Sequence, residues 1–158
     1  MSPDGIEGMD EDKLADLIRP VGYYNSKTRK LKEFTGYLYR NYGGDLMKFL
    51  DRSQDELRDE LLSIHGIGDE TADSILLYAA GKPSFVVDAY TRRIFSRLGL
   101  VNEDISYGDL QRFFERDIPE DVDVYKEFHA LIVELGKRYC RRNPDCGACP
   151  LNDICRYG

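Results

Sequence analysis

Leu61-Leu62-Ser63-Ile64-His65-Gly66-Ile67-Gly68-Asp69-Glu70-Thr71-Ala72 is the stretch that decides how this chain of 158 residues folds. Upstream of it, Ser53 followed three residues later by Glu56 is a capping box, and Leu57, Leu61 and Leu62 recur at helical spacing. Downstream, the pattern predicts a second helix from Asp69 to Ala80, with Gly81 just past its end and Pro83 beyond. Between the two, a pair of glycines separated by one apolar residue permits a tight turn with positive backbone dihedrals and leaves amide N–H groups uncovered at a helix N-terminus. Such a turn can hold a phosphate, or it can be a plain helix-helix connection. Asp69 and Glu70 are acidic where a generic anion site is basic, so any attraction must come from backbone amides and the helix dipole.

Outward from this turn the chain reads as helix after helix. Asp10 can cap a short helix carrying Leu14, Leu17 and Ile18, stopped by Pro20. Asn25 can cap a longer one in which Leu31, Phe34 and Leu38 form an inward stripe up to Tyr42, with Gly43-Gly44 as the break. Ala89 to Leu98 ends at Gly99, Ser106 with Asp109 opens another helix, and Asp123 opens the last, whose Phe128, Leu131, Ile132 and Leu135 face a core. Phe85-Val86-Val87 has strand composition but no partner strand, so it reads as an extended entry into the helix that follows. The fold class predicted is all-α.

Every cysteine falls at the C-terminal end, as Cys140-x5-Cys146-x2-Cys149-x5-Cys155. Four thiolates in one short loop can close around a [4Fe-4S] cluster or a zinc ion, or pair as disulfides. Met1 to Asp12 is acidic and has no apolar stretch, which argues against export and a disulfide knot. Structural zinc sites pair two close knuckles, whereas this loop has a single x2 pair flanked by x5 spacers, which favours the cluster with zinc as the alternative. With 42% hydrophobic and 32% charged residues the composition is that of a soluble globular chain. No apolar run approaches a membrane span, so a reducing cytoplasm of prokaryotic type is expected and a membrane partner is not. The net charge of −7 argues only weakly against nucleic acid, because Lys27, Arg29, Lys30 and Lys32, then Arg92, Arg93 and Arg97, then Lys137, Arg138, Arg141 and Arg142 form local basic clusters. Each is equally readable as a solvated helix face.

The helix-turn-helix stretch Leu61 to Ala72, then Val86-Val87-Asp88-Ala89-Tyr90, then the four-cysteine loop, resembles in order and spacing the endonuclease III family of helix-hairpin-helix (HhH-GPD) DNA glycosylases. The match runs from about Leu14 to Tyr157. It implies a partial helix-hairpin-helix bundle over residues 1–136 and an iron-sulfur loop over 137–158, acting on double-stranded DNA with a damaged base. By this resemblance His65, Gly66, Ile67, Gly68 and Thr71 hold DNA, Asp88 is the catalytic carboxylate, and Cys140, Cys146, Cys149 and Cys155 bind the [4Fe-4S] cluster. Glu70 and Tyr90 would line the base pocket, with Asp88 and Glu70 flanking it. Without the resemblance, Asp88 reads as the N-cap of the helix from Ala89 and Glu70 as a first-turn residue favoured by the helix dipole. The first cysteine spacer is one residue shorter than the commonest family form.

Position 70 departs from the bifunctional members of that family, which carry a lysine there to form a Schiff base with the sugar. A glutamate cannot act so, and the resemblance then implies a monofunctional glycosylase that leaves an abasic site. Glu70-Thr71-Ala72-Asp73 with Val87-Asp88-Ala89-Tyr90 looks like the branch that removes alkylated purines such as 3-methyladenine. The family's helices upstream of the segment aligned with Leu14, which fill the gap left by the flipped base, have no counterpart in this sequence. Two expectations follow: a short glycosylase of weak activity, or a module that binds DNA through hairpin and cluster without chemistry. The apolar face those helices would cover is expected to be buried by self-association or by a partner.

Overall fold

The computed structural model describes residues 2–157, and among these it contains helices and turns but no strand. Two compact units divide the chain, one through Ala72 and one from Asp73 onward.

The first unit holds α1 (Pro3–Glu7), α2 (Glu11–Leu17), α3 (Tyr24–Tyr42), α4 (Leu46–Leu50), α5 (Gln54–Ser63) and the start of α6 (Asp69–Ser74). Asp10 caps α2 as anticipated, its carboxylate accepting from the N–H groups of Asp12 and Lys13. Asn25, in contrast, does not cap α3. That helix begins two residues earlier than such a cap implies, out of Tyr23 in a left-handed conformation (φ 48°) with no side-chain cap, so Asn25 sits inside the first turn. Two short helices carried too few residues to show a period: α1, capped by Ser2 with Pro3 at its first position, and α4, capped by Asp45. Leu14, Leu38, Phe49, Leu57 and Leu61 are fully buried, and Phe34, Tyr37 and Tyr42 set ring edges against Phe49. Because α1 and α2 both pack on α3, its buried face includes Thr28, Thr35 and Gly36, while Leu31 and Phe34 are only half-buried. Glu60, with a side chain only 14% exposed, is paired with Arg52 and accepts from the hydroxyls of Tyr37 (2.7 Å) and Tyr42 (2.6 Å), which compensates its loss of water.

In the second unit the chain passes from α6 into a π-helical turn (Ile75–Ala79), then α7 (Ala89–Arg97), α8 (Tyr107–Asp117), α9 (Val122–Arg138) and a 3-10 turn at Asn152–Ile154. α9 starts from Asp121 rather than Asp123, since it is the Asp121 carboxylate that accepts from the N–H groups of Asp123 and Val124. Leu131 is 61% exposed and does not join the core, which α9 enters instead through Tyr125 and Ile132. Phe85 and Phe114 stack at 4.3 Å, with Tyr125, Phe128 and Phe95 edge-on around them.

Ser84 to Val87 is extended and buried, yet has no strand beside it. Side chains of α8 and the residue that begins it supply its backbone partners. Gln111 Nε2 donates to the Phe85 carbonyl at 2.8 Å, Glu115 Oε1 accepts from the Phe85 N–H at 3.0 Å, and the Val87 N–H donates to the Tyr107 hydroxyl at 3.4 Å. The same Gln111 amide donates to the fully buried Asp73 carboxylate (3.0 Å), whose other oxygen accepts from Ser84 Oγ at 2.8 Å. Gln111→Leu should therefore lower unfolding free energy by about 1–3 kcal/mol in urea titration, since it removes the amide donor from the buried Phe85 carbonyl and from the Asp73 carboxylate.

Candidate functional site

α5 closes at Ile64, whose extended backbone (φ −82°, ψ 124°) turns the chain, and the Ile67 N–H returns to the Ile64 carbonyl at 3.1 Å. Ile64 is buried and His65 exposed. Gly66 takes φ +88°, and a Cβ there would also press on Lys30 Cγ at 3.0 Å, so this glycine is required by the turn. Gly68 does not share that conformation, contrary to the expectation of two positive dihedrals. Its carbonyl accepts from the Ala72 N–H at 2.9 Å as the first bond of α6, and a Cβ on it would meet nothing within 4 Å. Its smoothness leaves the amides at the start of α6 open to close approach. Asp69 is paired with Arg58 at 2.9 Å, which offsets the acidic character of this end. Arg29, Lys30 and Lys32 line a groove of about 380 Å³ with His65 and Gly66. Sequence separation hid that proximity, although Lys32 spends its amine on the carbonyls of Glu7 and Met9.

Asp88 is the N-cap of α7 and forms a reciprocal capping box with Thr91. Its Oδ1 accepts from the Thr91 N–H at 2.7 Å and the Thr91 hydroxyl at 2.8 Å. Its Oδ2 faces His129 Nε2 at 3.6 Å, just beyond hydrogen-bond range, and the side chain is 12% exposed. Burial pushes the carboxyl upward, but His129 and the two Thr91 donors outweigh it and hold Asp88 below the ordinary aspartate range. A buried carboxylate is thus kept ionised, with one oxygen committed to the helix and the other not. Neither His129 nor Tyr78, whose hydroxyl lies 2.7 Å from His129 Nδ1, carried a signal in the sequence; a histidine on a helix face reads as core.

Glu70 and Thr71 lie exposed on the first turn of α6. Tyr90 packs its ring flat into the notch at Gly136 of α9, where any Cβ would come within 2.3 Å, and Arg93 stands over its ring at 5.0 Å.

The four cysteines are unpaired and line one small cavity with Arg97, Tyr139 and Tyr157. Four thiolates around one cavity are the donor set that an iron-sulfur cube takes. α7 supplies the other wall. Arg97 donates to Cys140 Sγ (3.4 Å) and to the carbonyl of Arg141 (2.7 Å), Arg93 donates to the carbonyl of Cys140 (2.9 Å), and Cys155 Sγ lies 3.7 Å from the Arg97 carbonyl. Two arginines of the second basic cluster thereby serve the loop. A bound cluster would add iron-thiolate bonds from Cys140, Cys146, Cys149 and Cys155 that cross-link it, and the cationic Arg97 offsets thiolate charge.

Two outcomes are expected. Cys146→Ala should purify colourless with iron depleted by elemental analysis and a lower melting temperature, because loop folding and metal binding are coupled. Gly68→Ala should weaken binding to duplex DNA while leaving the melting temperature within a degree or so, since its Cβ meets no protein atom; normal binding would return the hairpin to a structural turn.

Residues 1–120 match the family model of HhH-GPD superfamily base excision DNA repair proteins, and residues 141–155 match the iron-sulfur binding domain of endonuclease III. A Methanocaldococcus jannaschii protein provisionally named a DNA repair glycosylase is 52% identical over 95% of this chain and 69% of its own length. A thymine-DNA glycosylase of Aeropyrum pernix is 32% identical over 99% of this chain and 69% of its own. Among solved structures, a trapped endonuclease III-DNA covalent intermediate superposes with a TM-score of 0.79 at 27% identity, covering 99% of this chain and 69% of that one. The 3-methyladenine DNA glycosylase of H. pylori bound to 1,N6-ethenoadenine gives 0.70 at 31% identity, covering 85% and 66%. With its helix-hairpin-helix turn, all-helical fold and four-cysteine loop, the chain belongs to the HhH-GPD superfamily of base excision repair DNA glycosylases and carries the [4Fe-4S] domain of endonuclease III.

Proposed function

We propose that the chain is a monofunctional DNA glycosylase that hydrolyses the N-glycosidic bond of an alkylated purine and leaves an abasic site. The observation that carries this reading is the placement of Asp88: a largely buried carboxylate with one oxygen in the helix cap and the other left over beside His129. Departure of a base builds positive charge on the deoxyribose, and an anion in a water-poor site stabilises that charge far better than one in bulk solvent. Water adds to the anomeric carbon as the base leaves with the bonding pair, and the proton shed by the water passes to Asp88 or to solvent. The hairpin from His65 to Gly68, with Thr71, would hold a backbone phosphate through amide donors. Glu70 stands where bifunctional relatives place the Schiff-base lysine, so no amine at that position attacks the sugar.

The purine assignment rests on the Glu70 to Asp73 and Val87 to Tyr90 patterns, and the resemblance to the H. pylori enzyme supports it. A cationic methylated purine is a good leaving group that needs little protonation. A second reading, release of a mispaired pyrimidine, is favoured by the resemblance to the Aeropyrum pernix thymine-DNA glycosylase.

The deciding experiment incubates the full chain with duplexes carrying 3-methyladenine, or uracil or thymine opposite guanine. Base release from the first duplex alone, with strands that break only after hot alkali, is expected; release from the mispairs would move the substrate to pyrimidines. Asp88→Asn should lower release by about a thousandfold or more while DNA binding is kept or tightened. A covalent adduct trapped by borohydride would overturn the monofunctional assignment, and binding without any release would make the chain a DNA-binding module.

A further inference from the structure

His129 lies on α9, and its side chain is only 14% exposed. Its Nδ1 is 2.7 Å from the hydroxyl of Tyr78, which projects from the π-helical turn. Its Nε2 is fully buried and has no hydrogen-bond partner, an arrangement that costs stability unless it serves a second purpose. That atom points at Asp88 Oδ2, the carboxylate oxygen that the helix cap leaves over.

We infer that His129 is the positioning residue for Asp88, and that Tyr78 fixes the tautomer in which His129 presents an N–H to the carboxylate. The inference rests on the catalytic assignment of Asp88 made above. The chemistry is dictated by which nitrogen holds the proton. When the ring is neutral, a Tyr78 O–H donated to Nδ1 leaves the single ring proton on Nε2, aimed at Oδ2. When the ring is protonated, both nitrogens carry hydrogen, and Tyr78 turns its lone pair to Nδ1. Nε2–H therefore faces Asp88 in either state. Without the hydroxyl, a neutral ring is free to put its proton on Nδ1 and set a lone pair against the carboxylate, which repels it. A small closing movement across the 3.6 Å gap makes a charge-assisted hydrogen bond that fixes Oδ2 toward the reacting sugar and keeps it ionised.

The groups that face His129 are few. From the π-helical turn comes Tyr78 and from the start of α7 comes Asp88, while Arg92 and Arg93 of α7 send their guanidiniums to the carbonyls of Ile105 and of Cys140. Tyr78 is itself 48% exposed, so its replacement removes little packing.

The test uses the full chain with its cluster and three variants, His129→Leu, His129→Gln and Tyr78→Phe. Single-turnover base release should fall about 10- to 100-fold in His129→Leu, the worth of a hydrogen bond to a charged group, with affinity for abasic-site DNA unchanged. His129→Gln, which retains an amide donor, should recover most of the rate. Tyr78→Phe should also lower the rate, by less than His129→Leu, because a neutral ring without the lock divides its proton between the two nitrogens. A second readout does not depend on activity: the titration midpoint of the Asp88 carboxyl, followed by carbon NMR, should move upward in His129→Leu, since burial remains and a lowering partner is gone. Wild-type rate in His129→Leu, an unshifted Asp88 midpoint, or a wild-type rate in Tyr78→Phe overturns the inference. If wild-type protein releases no base, the catalytic assignment of Asp88 fails, and the NMR titration still decides whether His129 governs its carboxylate. If His129→Leu does not fold, Tyr78→Phe, with its rate and its Asp88 midpoint, carries the decision.

Discussion

An extended segment buried in a helical protein must find partners for its peptide groups, and the second unit is organised around how Ser84 to Val87 finds them. With no strand alongside, Gln111, Glu115 and Tyr107 act as a surrogate ladder, and Asp73 and Ser84 tie the segment back to α6. The apolar side chains of the segment then fill the aromatic core, with Phe85 stacked on Phe114. This fixes register. A slip of one residue would either put Val87 at the cap of α7, where it cannot accept a hydrogen bond, or bring Ala89 there and carry Asp88 into the apolar interior, where an unpaired carboxylate is not tolerated.

The same register gives Asp88 two tasks that are alternatives only on paper. A carboxylate has two oxygens, and the capping box with Thr91 consumes one. The other is held in a partly desolvated setting beside His129, where its ionised form is favoured over the neutral one. Capping is thus the means by which the second oxygen is aimed, since the rotamer that satisfies the start of α7 also sets Oδ2 toward α9. The linkage has a sign: with the carboxyl held below its ordinary range, Asp88 adds stability above the usual aspartate range, and that contribution is lost as pH falls through its depressed midpoint.

Charge in this acidic chain is used locally. Arg93 and Arg97, which look in sequence like a surface patch, turn toward the cysteine loop and neutralise its thiolates and carbonyls. Arg58 pairs with Asp69 at the start of α6, so the hairpin amides are not facing an uncompensated anion. The net charge of −7 therefore says little about any one surface: at the hairpin, Arg29 and Lys30 lie beside Gly66 in a groove that Glu11 and Glu33 also line.

Much of the architecture was legible in the sequence, because helix period, caps and glycine stops are local physics. The Ser53-Glu56 box, the Asp10 cap, the end of α7 at Gly99 and the all-helical class stand as read, and the motif order around Gly66, Asp88 and the four cysteines sufficed to place the chain in its family. The misplaced starts of α3 and α9 were also local, where a tyrosine in a left-handed conformation and a nearer aspartate displaced the more obvious caps. What the sequence could not state is which distant side chains meet. Tyr78, Asp88 and His129 belong to three elements, and no period or motif links a phenol, a carboxylate and an imidazole placed so. Nor does local pattern reveal that Leu131 faces solvent while Ile132 is buried, or that Arg97 serves a thiolate. Those outcomes depend on how α7 and α9 pack, and packing is set by the sum of many weak contacts that only the folded chain brings together.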